Sequence, residues 1–164
     1  MYKPTSILGG KMAENDVFKD INIILEYAHF WNWAPDWAVL RDVYKCHPDS
    51  YSILTPFAYA YLEELIRSRT SEYGMDVTDN EGNPKRRKVG RGLINLAMTE
   101  NGKDKPFLEA LEEIKDYFGD ATPFDRGNNR NSVDHGFMHP RYWTKESFEQ
   151  LVHDIAVLSK YSRF

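Results

Sequence analysis

Apolar residues recur along this chain at intervals of three and four, the spacing that puts them on one face of an α-helix, and strand-like alternation is almost absent. Val17, Phe18, Ile21, Ile24, Leu25 and Ala28 share one such face behind Asn15, a suitable cap, and predict a first helix. Past the aromatic elbow WNWAPDW, Pro35 suits a first helical turn. Trp37, Leu40, Val43 and Tyr44 then continue a short second helix that Pro48 terminates. Ile53, Leu54, Phe57, Ala58, Tyr61, Leu62, Leu65 and Ile66 repeat as adjacent pairs, which predicts a long core helix over 52–72 with Gly74 closing it.

The pattern stops at residues 76–90, DVTDNEGNPKRRKVG, where glycine, proline and dense charge predict an exposed, mobile loop inserted between helices. A calcium loop does not fit DVTDNEG, because its acids and glycine miss the required spacing. Leu93, Ile94, Ala97 and Met98 predict a short helix. Pro106 opens the next, with Phe107, Leu108, Leu111, Ile114 and Phe118 inward and Gly119 at its end. Thr144, with Glu146 in the first turn, caps a last helix whose buried stripe is Phe148, Leu151, Val152, Ile155 and Leu158. The fold class is therefore all-α, an antiparallel bundle of about five to seven helices, without internal repeats or low-complexity tracts.

Composition narrows this picture. With 164 residues, 41% hydrophobic and 14% aromatic, the chain can bury one compact core, and a single domain over 1–164 is expected. No run approaches the roughly 18 apolar residues of a membrane span. The stretch MYKPTSILGGKMAEND lacks the blocks of a signal peptide, so a cytoplasmic protein is expected. The single cysteine, Cys46, excludes an internal disulfide and a thiolate metal site, and reads as a half-buried helix residue. A net charge of −4 argues against a protein that coats nucleic acid through a global positive field. Charge is nevertheless uneven: Lys85, Arg86, Arg87, Lys88 and Arg91 stand against Glu81 alone in residues 81–91. Lys85, Arg86, Arg87 and Lys88, together with Arg126, are candidate phosphate contacts, although a short basic run is more often a solvated loop.

The densest chemistry lies in NNRNSVDHG, a helix of under two turns that starts near Asn128 or Asn129 and is broken by Gly136 and then Pro140. Asn131 and His135, four apart, share a face, and Arg130 projects sideways from the first turn. A helix N-terminus beside Arg130 would suit an anionic oxygen, phosphate included. An imidazole titrates near neutrality, a guanidinium grips phosphate with two donors, and RNA carries its own nucleophile in the ribose 2′-hydroxyl.

Arginine, a polar residue, three more residues and then His-Gly, placed before a final amphipathic helix, resembles the signature of the HEPN superfamily. Here those residues are Arg130, Asn131 and His135. AYLEELIRS (60–68) is similar to the family's long second core helix and YWTKESFEQLVHDIAVL to its closing helix, so the resemblance covers roughly residues 50–164. Residues 1–49 are assigned by pattern only. The resemblance implies a helical bundle that pairs through its motif helices and, in active members, cuts RNA without metal or other cofactor. His135 would move a proton at the 2′-hydroxyl or the leaving oxygen, Arg130 would steady charge on the phosphate, and Asn131 would orient them. Products would carry a 2′,3′-cyclic phosphate and a 5′-hydroxyl. RNA is then the substrate, a second copy the partner, and an antitoxin or other regulatory protein the control, in a toxin–antitoxin or phage-defence setting.

Plainer readings of the same residues stand beside these. Arg130 can pair with Asp134 four residues on, and His135 can cap the helix end. Asp134, next to His135, would raise its proton affinity and repel phosphate unless screened. His135 and His139 have a zinc-like spacing that Gly136 and Pro140 spoil, with His153 an unconvincing third ligand, so no metal is expected. Glu63 or Glu64 with Arg67 reads as a helical ion pair, although both acids could approach the motif. Trp31, Trp33 and Trp37 read as core or dimer surface before base-stacking platforms. Two function classes remain: an endoribonuclease, and a non-catalytic helical module that dimerises and binds a nucleotide, RNA or protein.

Overall fold

A computed structural model describes residues 16–164 of the chain. Among them are seven α-helices and no strand: α1 (Val17–Tyr27), α2 (Ala34–Cys46), α3 (Tyr51–Arg67), α4 (Gly90–Glu100), α5 (Lys105–Ile114), α6 (Arg130–Asp134) and α7 (Lys145–Ser159). The expected all-α bundle is present. Helix α7 packs against α1, α3 and α5, while α2 lies on α1 and α4 and α6 lie on α3. Among the described residues no helix is long and apolar enough to cross a membrane.

The stripes read from the sequence supply the core. Val17, Ile21 and Ile24 of α1 are buried, as are Phe148, Leu151, Val152, Ile155 and Leu158 of α7. Removing one such ring, as in Phe148→Ala, would cost about 3–5 kcal/mol through lost transfer energy and the cavity left behind. Helix α1 is capped by Asp16, whose side chain accepts from Lys19 N; the expected cap, Asn15, lies outside the described residues. Thr144 caps α7 as expected, accepting from Ser147 N. At the aromatic elbow, Trp37 is fully buried and Trp33 partly, both meeting Tyr61 edge-on with ring centroids 5.2 Å apart, whereas Trp31 faces solvent.

Three expectations are corrected. Helix α3 ends at Arg67 rather than near 72, because side chains there divert the backbone: Ser68 Oγ donates to Leu65 O (2.7 Å) and Thr70 Oγ1 to Arg67 O (2.9 Å). Asn101 Nδ2 reaches across from the end of α4 to Arg69 O (2.7 Å), and Gly74, at φ 66°, closes the following turns instead of the helix. Within α3 the buried face includes Thr55 and Tyr59, which the paired pattern omits, while Ile53 is 71% exposed. Cys46, at the last position of α2, is exposed rather than half-buried.

The loop before α4 is built around Asp79. Its carboxylate accepts from Glu81 N and Asn83 N (2.9 Å each), and a bridge joins Thr78 to Pro84. Hydrogen bonds from Asn83, foremost its backbone N–H, hold the Asp79 carboxyl below the usual range. The turn is solvent-exposed and ends where α4 begins, beside α3.

Candidate functional site

The segment between α5 and α6 is placed by main-chain anchors. Buried Tyr59 on α3 donates its hydroxyl to Gly127 O (2.9 Å). Gly127 has φ 90° and lies so close to Trp143 that an added Cβ would come within 3.0 Å of the indole side chain. Two residues on, buried Asn129 caps α6 by accepting from Ser132 N (2.9 Å), and its amide donates to Gly119 O and Asp120 O (3.2 and 3.3 Å). At the other end His135 is the C-cap and Gly136 takes φ 64°; Gly136 N donates to Val133 O (3.3 Å) and Phe137 N to Ser132 O (3.0 Å), a Schellman closure. The expected short helix, its start and its glycine stop are all present.

Arg130, Asn131 and His135 are brought to one side of α3, with different surroundings. Arg130 is only 14% exposed, and its Nε lies 2.8 Å from Asp134 Oδ2 and 3.1 Å from Glu63 Oε1, without hydrogen-bond alignment to either. Its Nη1 donates to Asn131 Oδ1 (3.3 Å), and Asn131 Nδ2 donates to Gly119 O (3.0 Å). The guanidinium therefore lies back along α6 and against α3 rather than projecting sideways, because two carboxylates draw it there. His135 is exposed, and its ring makes no hydrogen bond or ion pair among the described residues. The α6 N-terminus is not open to an anion as expected, since Asn129 occupies it and the helix has only five residues.

Electrostatics at this point are crowded. Burial, together with the neighbouring Glu63 charge, raises the Asp134 carboxyl above its ordinary range, against the opposing pull of Arg130 and His135. Glu63, on α3, does more than contact Arg130: the same Oε1 accepts Gly90 N (3.0 Å) at the start of α4. The helical ion pair expected on α3 belongs to Glu64, whose Oε2 lies 2.7 Å from Arg67 Nη1.

None of the candidate phosphate contacts bonds to Arg130, Asn131 or His135 among the described residues. Lys85, Arg86, Arg87 and Lys88 are all exposed; Arg87 is pinned by Nη2 donating to Met75 O (2.7 Å), and the others have no ion-pair partner among the described residues. Lys88 is held through its backbone, by Glu72 Oε2 and Arg67 Nη2, so the basic run ends two residues before the Gly90 amide bound by Glu63. Arg126 folds back on its own loop, Nη1 donating to Asp125 O (2.9 Å).

Sequence reasoning passed over Arg91 except as one charge among several. Its Nε donates to Phe118 O (3.1 Å), one residue before the Gly119 carbonyl that receives Asn129 and Asn131. No local pattern announces this, because the partners are far apart in the chain.

Among the described residues no three His, Cys, Asp or Glu side chains are grouped to hold a metal ion. His139 Nδ1 accepts Arg141 N (3.1 Å) in the turn before α7, and His153 Nδ1 lies 3.0 Å from buried Asp20 on α1. Compared with family models, with curated proteins and with solved structures, the chain matches none.

Proposed function

We propose that the chain is a metal-independent endoribonuclease of the HEPN type, using Arg130, Asn131 and His135. The observation that carries the reading is an exposed imidazole, without a hydrogen-bond or ion-pair partner among the described residues, five residues along the chain from an arginine held between Glu63 and Asp134. His135 takes the proton of the 2′-hydroxyl, whose oxygen bonds to the adjacent phosphorus as the bond to the 5′-oxygen breaks; the 5′-oxygen leaves with a proton from water, and the imidazolium returns its own to solvent, giving a 2′,3′-cyclic phosphate and a 5′-hydroxyl. Arg130 balances charge at the phosphate, and Asn131, tethered to Gly119 O, holds the guanidinium in register.

One arginine and one histidine per chain are doubled if two α6 segments face each other across a two-fold axis, and a homodimer through the motif helices belongs to this reading. An enzyme that cuts cellular RNA requires restraint, which makes an antitoxin-like or other regulatory protein the expected partner, in toxin–antitoxin or phage-defence systems. Labelled RNA incubated with the pure protein in EDTA should be cut, and Arg130→Ala or His135→Ala should abolish cutting. Activity that survives both substitutions would overturn the assignment.

One observation favours a second reading. Arg130 faces two carboxylates, so its charge is already spent within the fold, as expected of a structural arginine in a non-catalytic module that dimerises and binds nucleotide, RNA or protein. Binding of RNA without any cleavage, unchanged by His135→Ala, would select it.

A further inference from the structure

Arg91 stands next to the Arg130–His135 motif through two separate connections. Through the backbone, its neighbour Gly90 donates to Glu63 Oε1, the oxygen that also contacts Arg130 Nε. Through the side chain, its Nε donates to Phe118 O, while the next carbonyl, Gly119 O, receives both Asn129 and Asn131. Asn131 in turn accepts from Arg130 Nη1. Arg91 and Asn131 are thus tied to successive carbonyls of one bend, and Asn131 to Arg130.

Their states differ in a way that matters for binding. Arg130 is nearly enclosed and neutralised by two acids, whereas the Arg91 side chain is 60% exposed. Its one ion-pair partner among the described residues is Asp120, 3.5 Å from Nη2 and itself 91% exposed. An ion pair that open to water is weak, and a phosphate can displace it. With Nε anchored on a main-chain oxygen, the Nη edge remains for a ligand, so little freedom is lost on binding. The exposed basic run Lys85–Lys88 precedes this position in the chain by three residues.

We propose that Arg91 is a substrate-binding residue that contacts a phosphate of an RNA strand lying across Arg130 and His135. This rests on the ribonuclease reading above. Arg91 supplies the accessible positive charge that Arg130, held by Glu63 and Asp134, does not, and so sets affinity while Arg130 and His135 serve the reaction.

The test is fluorescence anisotropy of the full chain with an end-labelled single-stranded RNA methylated at every 2′-oxygen, which lacks the nucleophile and reports binding alone. Arg91→Gln should weaken binding about tenfold and lower the magnitude of the salt slope by about 1. Lys103→Gln, beyond the other end of α4 and roughly 16 Å away, removes the same charge and should change affinity less than about twofold. Asp120→Asn, at a side chain 91% exposed, should tighten binding by about two- to threefold by releasing Arg91. Equal effects of Arg91→Gln and Lys103→Gln, or no gain from Asp120→Asn, would overturn the role of Arg91 while leaving the ribonuclease reading intact. A wild-type chain that neither binds this RNA nor cuts its unmethylated counterpart would overturn both.

Discussion

Glu63 Oε1 serves Arg130 and Gly90 together, 3.1 Å from the Nε of one and 3.0 Å from the backbone nitrogen of the other, so a single carboxylate joins α3, α4 and α6. Glu63 and Arg130 are both enclosed, with side chains 10% and 14% exposed. Desolvation makes such pairs modest stabilisers, and makes loss of one partner expensive.

Arg130→Ala leaves Glu63 and Asp134 side by side without their cation. It should destabilise the fold by up to about 3 kcal/mol at neutral pH, read from urea unfolding. Glu63→Gln keeps an acceptor for Gly90 N and should cost less, about 1 kcal/mol. His135, exposed and without a side-chain hydrogen bond among the described residues, should tolerate alanine within about 0.5 kcal/mol. Stability data of this kind separate loss of chemistry from loss of structure: a cleavage defect in His135→Ala cannot be ascribed to unfolding if its urea midpoint is unmoved.

Asp134 gives the site a pH signature with a definite sign. Its carboxyl is raised in the folded chain, so over the interval from the ordinary carboxylate range up to that raised value the native state holds a proton that the unfolded state has released. Stability therefore falls as pH rises through this interval. Asp134→Asn cannot titrate and should lack that decline, so the stability of the variant relative to the native chain increases with pH across the same window. A flat or falling difference in urea midpoints would count against the raised proton affinity.

The two positive-φ glycines that bracket α6 should respond unequally to alanine. At Gly136 there is open space for a Cβ, and the cost is the backbone penalty alone, about 1–2 kcal/mol. At Gly127 the same penalty is joined by a contact at 3.0 Å with Trp143. Gly127→Ala should be the more destabilising by at least about 1 kcal/mol, through overpacking. Thermal unfolding of the two variants ranks them.

Tyr59→Phe should loosen the approach to the motif from below. The Gly127 carbonyl loses its buried donor, at a cost of about 1–2 kcal/mol, and amide exchange over 127–129 should quicken while that of α7 stays as it was. Uniform acceleration over both segments would instead indicate a general loss of packing.

What the sequence revealed of this molecule was whatever depends on near neighbours. The stripes of α1 and α7, Pro35 at the start of α2, and Asn129 and Gly136 around α6 all act within a turn or two, and each was readable as pattern. The end of α3 was not, because Ser68 and Thr70 bend back on carbonyls that a continuing helix would also use, and Asn101 arrives from another element. Tyr59 was overlooked because its burial depends on the returning loop at Gly127, not on the periodicity of α3. At the motif, the pairing of Arg130 with Asp134 followed from their spacing and an approach of Glu63 or Glu64 was allowed for, whereas the choice of Glu63, its hold on Gly90 and the place of Arg91 came only with the folded chain.

The oxygens of Phe118, Gly119 and Asp120 that receive Arg91, Asn129 and Asn131 belong to the main chain. Replacing the Asp120 side chain cannot erase its acceptor, so this bend can drift in evolution while the groups hanging from it keep their posts. Mutational scanning would accordingly score Asp120 as dispensable, although its backbone is part of the scaffold on which the arginine–histidine pair depends.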